Sequence, residues 1–267
     1  MSTTIKDALI EFSLSQVFAD AEKVTPEVKA HFKEMLFGND NFLANQVAMI
    51  SEAFNENSAG SWAEIQKFLR EEFIPEMAAG ILNGNARVLI LGGAVDNLVP
   101  AKFQKQLWAE LKKECKSQIE KLSDSKKENA RENLKENLVF NIVENQAHMI
   151  PQEIPQTLAQ IQENFRRKIL RTGVLFPLKK YKNDTNYKVI GDHIFVPTEN
   201  EKYLEKYCRG DGATFRGQVS GAAKLAKEIG VNLPSSIRDG AEWTAETSAE
   251  FADLIFENLN RLNFVGG

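Results

Sequence analysis

Arg87-Val88-Leu89-Ile90-Leu91-Gly92-Gly93-Ala94-Val95-Asp96-Asn97-Leu98-Val99-Pro100 is an aliphatic run that ends on two glycines and opens into a loop with one ionisable side chain. Val88 to Leu91 is short and does not alternate with polar residues. That suits a buried parallel strand, whose two faces are both covered. Some fifty residues on, the pattern returns. Leu138-Val139-Phe140-Asn141-Ile142-Val143 reads as a second buried strand and is followed by Asn145-Gln146-Ala147-His148-Met149-Ile150-Pro151. One loop offers a carboxylate and the other an imidazole.

Between and after these strands the periodicity is helical. Pro100 starts a helix through Phe103, Leu107, Trp108 and Leu111, and residues 112–137 form a charged helical surface broken near Ser123-Asp124-Ser125. Ile154-Pro155 leads into an amphipathic helix with Leu158, Ile161 and Phe165. Strand, helix, strand, helix is the unit of a parallel α/β sheet. In such a sheet, loops at the carboxyl ends of neighbouring strands lie together. If the two strands are neighbours, Asp96 and His148 can meet. A carboxylate on one ring nitrogen fixes the imidazole tautomer and stabilises the imidazolium formed when the other nitrogen takes a proton. Taken singly, each residue has a plainer reading. An Asp after two glycines is also a turn former or helix cap, and a His beside Met and Ile is also a packing residue.

Together, in this order, the two loops resemble those of the α/β-hydrolase family. Gly93, Asp96, Val99 and Pro100 match the G-x-x-D-x-x-V-P acid loop, and Ala147-His148-Met149-Ile150-Pro151, followed by Pro155, matches the histidine loop. The resemblance implies Asp96 as the triad acid and His148 as the general base. It covers residues 87–166 and extends vaguely to a cap-like helical region at 1–84. It implies a hydrolase, esterase-like, acting on an ester, thioester or acyl bond of a small-molecule or acyl substrate. The family's nucleophile elbow, G-x-S-x-G, does not precede Asp96. Ser13, Ser15, Ser51, Ser58 and Ser61 sit in helical or capping contexts, and in Gly217-Gln218-Val219-Ser220-Gly221 the nucleophile position is Val219, with Ser220 displaced by one residue. Two alternatives follow. One is a non-catalytic interaction module derived from a hydrolase fold, with protein partners on its helical surfaces. The other is the carboxyl-terminal part of a longer hydrolase.

The expected fold class is α/β: a partial α/β-hydrolase-like parallel sheet, a helical region at 1–84, a core portion at 85–170 and an additional α+β segment at 171–267. In the first region, Thr25-Pro26-Glu27 is a helix start and Ser61-Trp62-Ala63-Glu64 a capping box, with Pro75 kinking or ending the helix it opens. In the last, Val174 to Pro177 and Tyr187 to Pro197 read as short strands with a turn at Gly191-Asp192. Glu199 to Tyr207, Gly221 to Ile229 and Ala245 to Leu262 read as helices.

Composition narrows the classes. Of 267 residues, 43% are hydrophobic and 26% charged, as in ordinary globular proteins. A net charge of −4 gives no electrostatic basis for a nucleic-acid partner. Two cysteines, Cys115 and Cys208, are too few for a disulfide scaffold and read as free thiols. His31 and His193 have no partner at metal-ligand spacing, so no metal site is expected. Gly92-Gly93 lacks the G-x-G-x-x-G pattern, so no cofactor is expected either. The first twenty residues hold no apolar core of a secretory signal, and no run is long enough to span a membrane. The sequence therefore reads as a soluble, cytoplasmic protein without integral membrane association.

Overall fold

The structure is a computed structural model that describes residues 3–38, 62–96, 99–180, 188–208, 223, 225–227 and 230–232. The chain divides into two compact units, Met1–Leu43 with Gly210–Gly267, and Ala44–Arg209. The capping serine Ser61, the Gly217–Gly221 segment with Ser220, and the helix expected at Ala245–Leu262 lie outside the described residues.

In the first unit, α1 (Thr3–Val17) packs on α2 (Pro26–Phe37). Thr25 caps α2, its hydroxyl accepting from Val28 N–H at 3.3 Å, and Pro26 occupies the first turn, where a missing N–H costs nothing. Leu14, Phe18 and Phe32 are buried, and the Phe18 and Phe32 rings meet edge to face at 6.5 Å.

The second unit is built on one five-stranded mixed sheet in the order β1-β2-β3-β5-β4. The strands are β1 (Val88–Gly93), β2 (Leu138–Val143), β3 (Gly173–Pro177), β4 (Lys188–Ile190) and β5 (His193–Pro197). β1, β2 and β3 run parallel, with Val88 opposite Leu138 and Gly93 opposite Val143. β5 then pairs antiparallel with β3, and β4 with β5, so the sheet extends past the parallel strands by a hairpin. Gly191 turns that hairpin at φ 61°, and a side chain there would collide with Thr157.

Helices cover both faces, which is why every residue of β2 is buried. On one face Phe140 and Ile142 pack with α4 (Ile74–Leu82), α5 (Ala101–Glu120) and α6 (Asp124–Asn137), and Trp108 stacks on Phe140 at 5.8 Å. On the other face Val139 and Val143 pack against α7 (Ile150–Glu153) and α8 (Pro155–Arg166) through Ile150, Ile154 and Ile161. β2 therefore sends alternate side chains into two separate cores. α9 (Glu201–Tyr207) adds Leu204 to the first of them.

Ahead of β1, α3 (Trp62–Phe68) runs on into α4 through a π turn, Leu69–Phe73. Pro75 therefore neither ends nor breaks this helix. The wider turn, closed by Ile74 N–H onto Leu69 carbonyl, places the proline in the first turn of α4, where its ring is tolerated. The break near Ser123 falls as expected, α5 ending at Glu120 and α6 beginning at Asp124. Among the described residues no helix is long and apolar enough to cross a membrane.

Candidate active site

Because β1 and β2 are parallel neighbours in register, their carboxyl ends open side by side. The loops that leave them are fastened together. Ala94 N–H donates to Val143 carbonyl at 2.9 Å and Val95 N–H to Gln146 carbonyl at 3.0 Å. Gly93 lies at the crossing. A Cβ there would fall on the Gln146 and Ala147 carbonyl oxygens, well inside van der Waals distance. Glycine is required here for close backbone approach, since Gly93 is not among the residues with positive φ.

This crossing brings Asp96 and His148 together. Asp96 Oδ2 lies 3.1 Å from His148 Nδ1 across 52 residues of chain. The carboxylate is buried, its side chain 4% exposed, and its other oxygen accepts from Val99 N–H at 3.0 Å. That second bond makes the acid loop its own brace: the backbone holds Oδ1 and leaves Oδ2 aimed at the imidazole. Asp96 thus combines the turn-forming role and the histidine-pairing role. The acid loop is also tied to α5, where Gln104 Nε2 donates to Val99 carbonyl at 2.8 Å.

The imidazole is presented differently. Its side chain is 38% exposed, and its Nε2 makes no hydrogen bond to any described residue. With Nδ1 donating to a carboxylate, the neutral ring carries its lone pair on the outward-facing Nε2, the atom that can accept a proton. Asn145, at φ 60°, makes the left-handed step out of β2. Glu153, 2% exposed on α7, accepts from Ala147 N–H at 3.0 Å and pins the loop one residue before the histidine. Sequence reading passed over Glu153, although its carboxylate five residues after His148 was in plain view. Its role depends on α7 turning back under the loop.

Among the described residues no hydroxyl or thiol is hydrogen-bonded to His148. Both described thiols are committed to the core. Burial pushes Cys115 up to about 12 and Cys208 up to about 11, far from a thiolate at neutral pH. His193 Nδ1 lies 2.8 Å from Asp192 Oδ1 and 3.4 Å from Thr157 Oγ1. No group of His, Cys, Asp and Glu among the described residues could hold a metal ion.

A sheet with parallel strands β1 to β3, helices on both faces, and an acid loop and a histidine loop at adjacent strand ends defines a protein of the α/β-hydrolase type. The comparison with protein families agrees and goes further. The model of the serine carboxypeptidases matches residues 28–168, more than half of the chain, and the chain belongs to that family. No curated protein and no solved structure matches it.

Proposed function

We propose that this chain hydrolyses an ester, thioester or acyl bond, with His148 as general base and Asp96 as the group that orients it. The observation that carries the reading is the Asp96–His148 hydrogen bond at 3.1 Å, with the carboxylate buried and the opposite ring nitrogen open. In the reaction, His148 Nε2 takes the proton of the attacking hydroxyl and later returns it to the leaving group, while Nδ1–H stays on Asp96 Oδ2. The buried carboxylate stabilises the imidazolium that exists between these transfers.

The family's name specifies a serine nucleophile and a peptide bond at a carboxyl terminus. Both come to this chain as part of the proposal, which narrows the acyl substrate to a peptide with a free carboxyl end. The nucleophile is unassigned: among the described residues no serine is hydrogen-bonded to His148.

The test is turnover of a nitrophenyl ester and of an amino-blocked dipeptide by purified protein, with fluorophosphonate labelling and mapping of the labelled residue. His148→Ala should lower turnover by on the order of 10⁶-fold, since triad members act as a unit. Turnover that survives His148→Ala unchanged refutes the assignment. Absence of both turnover and labelling favours the second reading, an interaction module on a hydrolase fold. The observation that favours that reading is that no hydroxyl among the described residues is hydrogen-bonded to His148.

A further inference from the structure

At the opposite end of the sheet lies a cavity of about 380 Å³. It is bounded by Leu138, the first residue of β2, by Thr172, immediately before β3, and by the facing sides of α5 and α6. A six-residue strand spans roughly 20 Å, so the cavity is separate from the Asp96–His148 pair. Its size falls within the roughly 300–1,000 Å³ of small-molecule sites.

Its lining divides into two parts. Ile119, Leu134 and Leu138 supply apolar wall. Around them stand four cations, Lys112 and Lys116 on α5 and Arg131 and Lys135 on α6. Lys112 is engaged, its Nζ 4.4 Å from the Trp108 ring centroid and 3.9 Å from Glu199 Oε2. Lys116, Arg131 and Lys135 have neither an ion pair nor a hydrogen bond among the described residues. Glu120 also lines the cavity and pairs with none of them. Thr172 is 7% exposed, and its hydroxyl accepts from Phe140 N–H at 3.2 Å, which leaves its own proton available to donate.

The spacing of the cations is costly. Lys112 and Lys116 are four residues apart on one helix, and so are Arg131 and Lys135 on the other. Like charges at that spacing destabilise a helix. Here two such pairs face one cavity in a chain whose net charge is negative. Glu199 already offsets Lys112, and bound negative charge would relieve the Arg131–Lys135 repulsion.

We propose that this cavity binds a small amphipathic anion, its apolar body against Ile119, Leu134 and Leu138 and its carboxylate or phosphate head among Lys116, Arg131 and Lys135. The head is charged because the lining holds three cations that have no partner among the described residues. The body is apolar because the wall behind them is.

Calorimetric titration of the full chain at low salt with decanoate, decyl phosphate and decanol, all below their aggregation limits, tests this. One saturable site per chain is expected for decanoate or decyl phosphate, and the tighter of the two identifies the preferred head. The anion should bind tenfold or more tighter than decanol. Lys116→Glu with Arg131→Glu should weaken it tenfold or more, and both positions are exposed, so the fold should tolerate the change. Lys116→Arg with Arg131→Lys should retain binding, and His148→Ala should leave it untouched. No saturable site for either anion, equal affinity for decanol, unchanged affinity in a natively folded charge-reversed variant, or loss of binding in His148→Ala would each overturn the proposal.

Discussion

Replacing Gly93 with alanine probes the crossing on which the whole candidate site rests. The added methyl would sit on the carbonyl oxygens of Gln146 and Ala147, and these are backbone atoms that cannot rotate away. They would have to retreat by roughly 1 Å to reach ordinary contact distance. Overpacking of this kind costs about 1–3 kcal/mol. The Val95 N–H to Gln146 carbonyl bond, 3.0 Å long, spans the same gap and is worth about 1 kcal/mol. Alanine also restricts the unfolded chain, an opposing effect of about 0.4–1 kcal/mol. The net loss is roughly 1–3 kcal/mol, a large share of the ~5–15 kcal/mol that holds a typical domain. For a unit of this size that is a fall in Tm of about 3–10 °C. Urea unfolding followed by circular dichroism gives the free energy, and a scanning melt gives Tm. The second consequence is at the site. A retreat of about 1 Å carries the 3.1 Å Asp96–His148 contact beyond hydrogen-bond range. The downfield proton resonance of His148 Nδ1–H should therefore be lost. A variant with wild-type stability and an intact Nδ1–H resonance would refute the close crossing of the two loops.

Other perturbations follow from the same structure. Glu153→Ala strands the buried Ala147 N–H and should cost about 1.5–3 kcal/mol in urea unfolding, whereas Glu153→Gln keeps an acceptor and should cost less than about 1 kcal/mol. Cys115 and Cys208, buried and with raised pKa values, should resist Ellman's reagent at pH 8 in the native protein and react together on unfolding. Partial burial acts to raise Asp192, but the Thr157 hydroxyl, the nearby His193 and the backbone together outweigh it and hold the carboxyl below its ordinary value of 3.8. A group lowered on folding stabilises above its unfolded pKa, and that contribution is lost as pH falls through the folded one. Asp192→Asn should therefore flatten the acid limb of the stability curve below about pH 4, as read from urea midpoints at stepped pH.

The parallel strands were legible because burial on both faces removes alternation. Val88–Leu91 is a continuous apolar run, half-buried on the edge strand, and Leu138–Val143 is a fully buried one interrupted only by Asn141; each lies in a strand that starts where the run starts and ends within two residues of its end. The helix starts at Thr25 and after Pro100 were legible because capping and proline chemistry are local. Pro75 was legible only in part, for the opposite reason: it does not end the helix. Whether a proline breaks a helix depends on the turn before it, and the π turn at Leu69–Phe73 has no sequence signal of comparable strength. The β4–β5 hairpin with its turn at Gly191-Asp192 was legible, but its pairing onto β3 lay beyond local reading. Short strands do not announce which partner they pair with, and the choice of β3 for β5 is made by sheet packing. The cavity cations at 112–137 read only as a solvated charge run, because four residues on two helices become neighbours only once α5 and α6 are laid side by side.

By itself the sequence determined the class of fold and the identity of the two residues at the candidate site. Apolar periodicity, the double glycine and the acid and imidazole at fixed places after two strands are properties of short segments. Only the tertiary structure decided that Asp96 Oδ2 and His148 Nδ1 meet, that Nε2 is the nitrogen left open, and that Glu153 holds the loop between them. Those outcomes depend on strand neighbourhood, on register and on two backbones approaching at Gly93. They are contacts between segments some fifty residues apart in sequence, and such contacts form only when hydrophobic burial fixes the sheet.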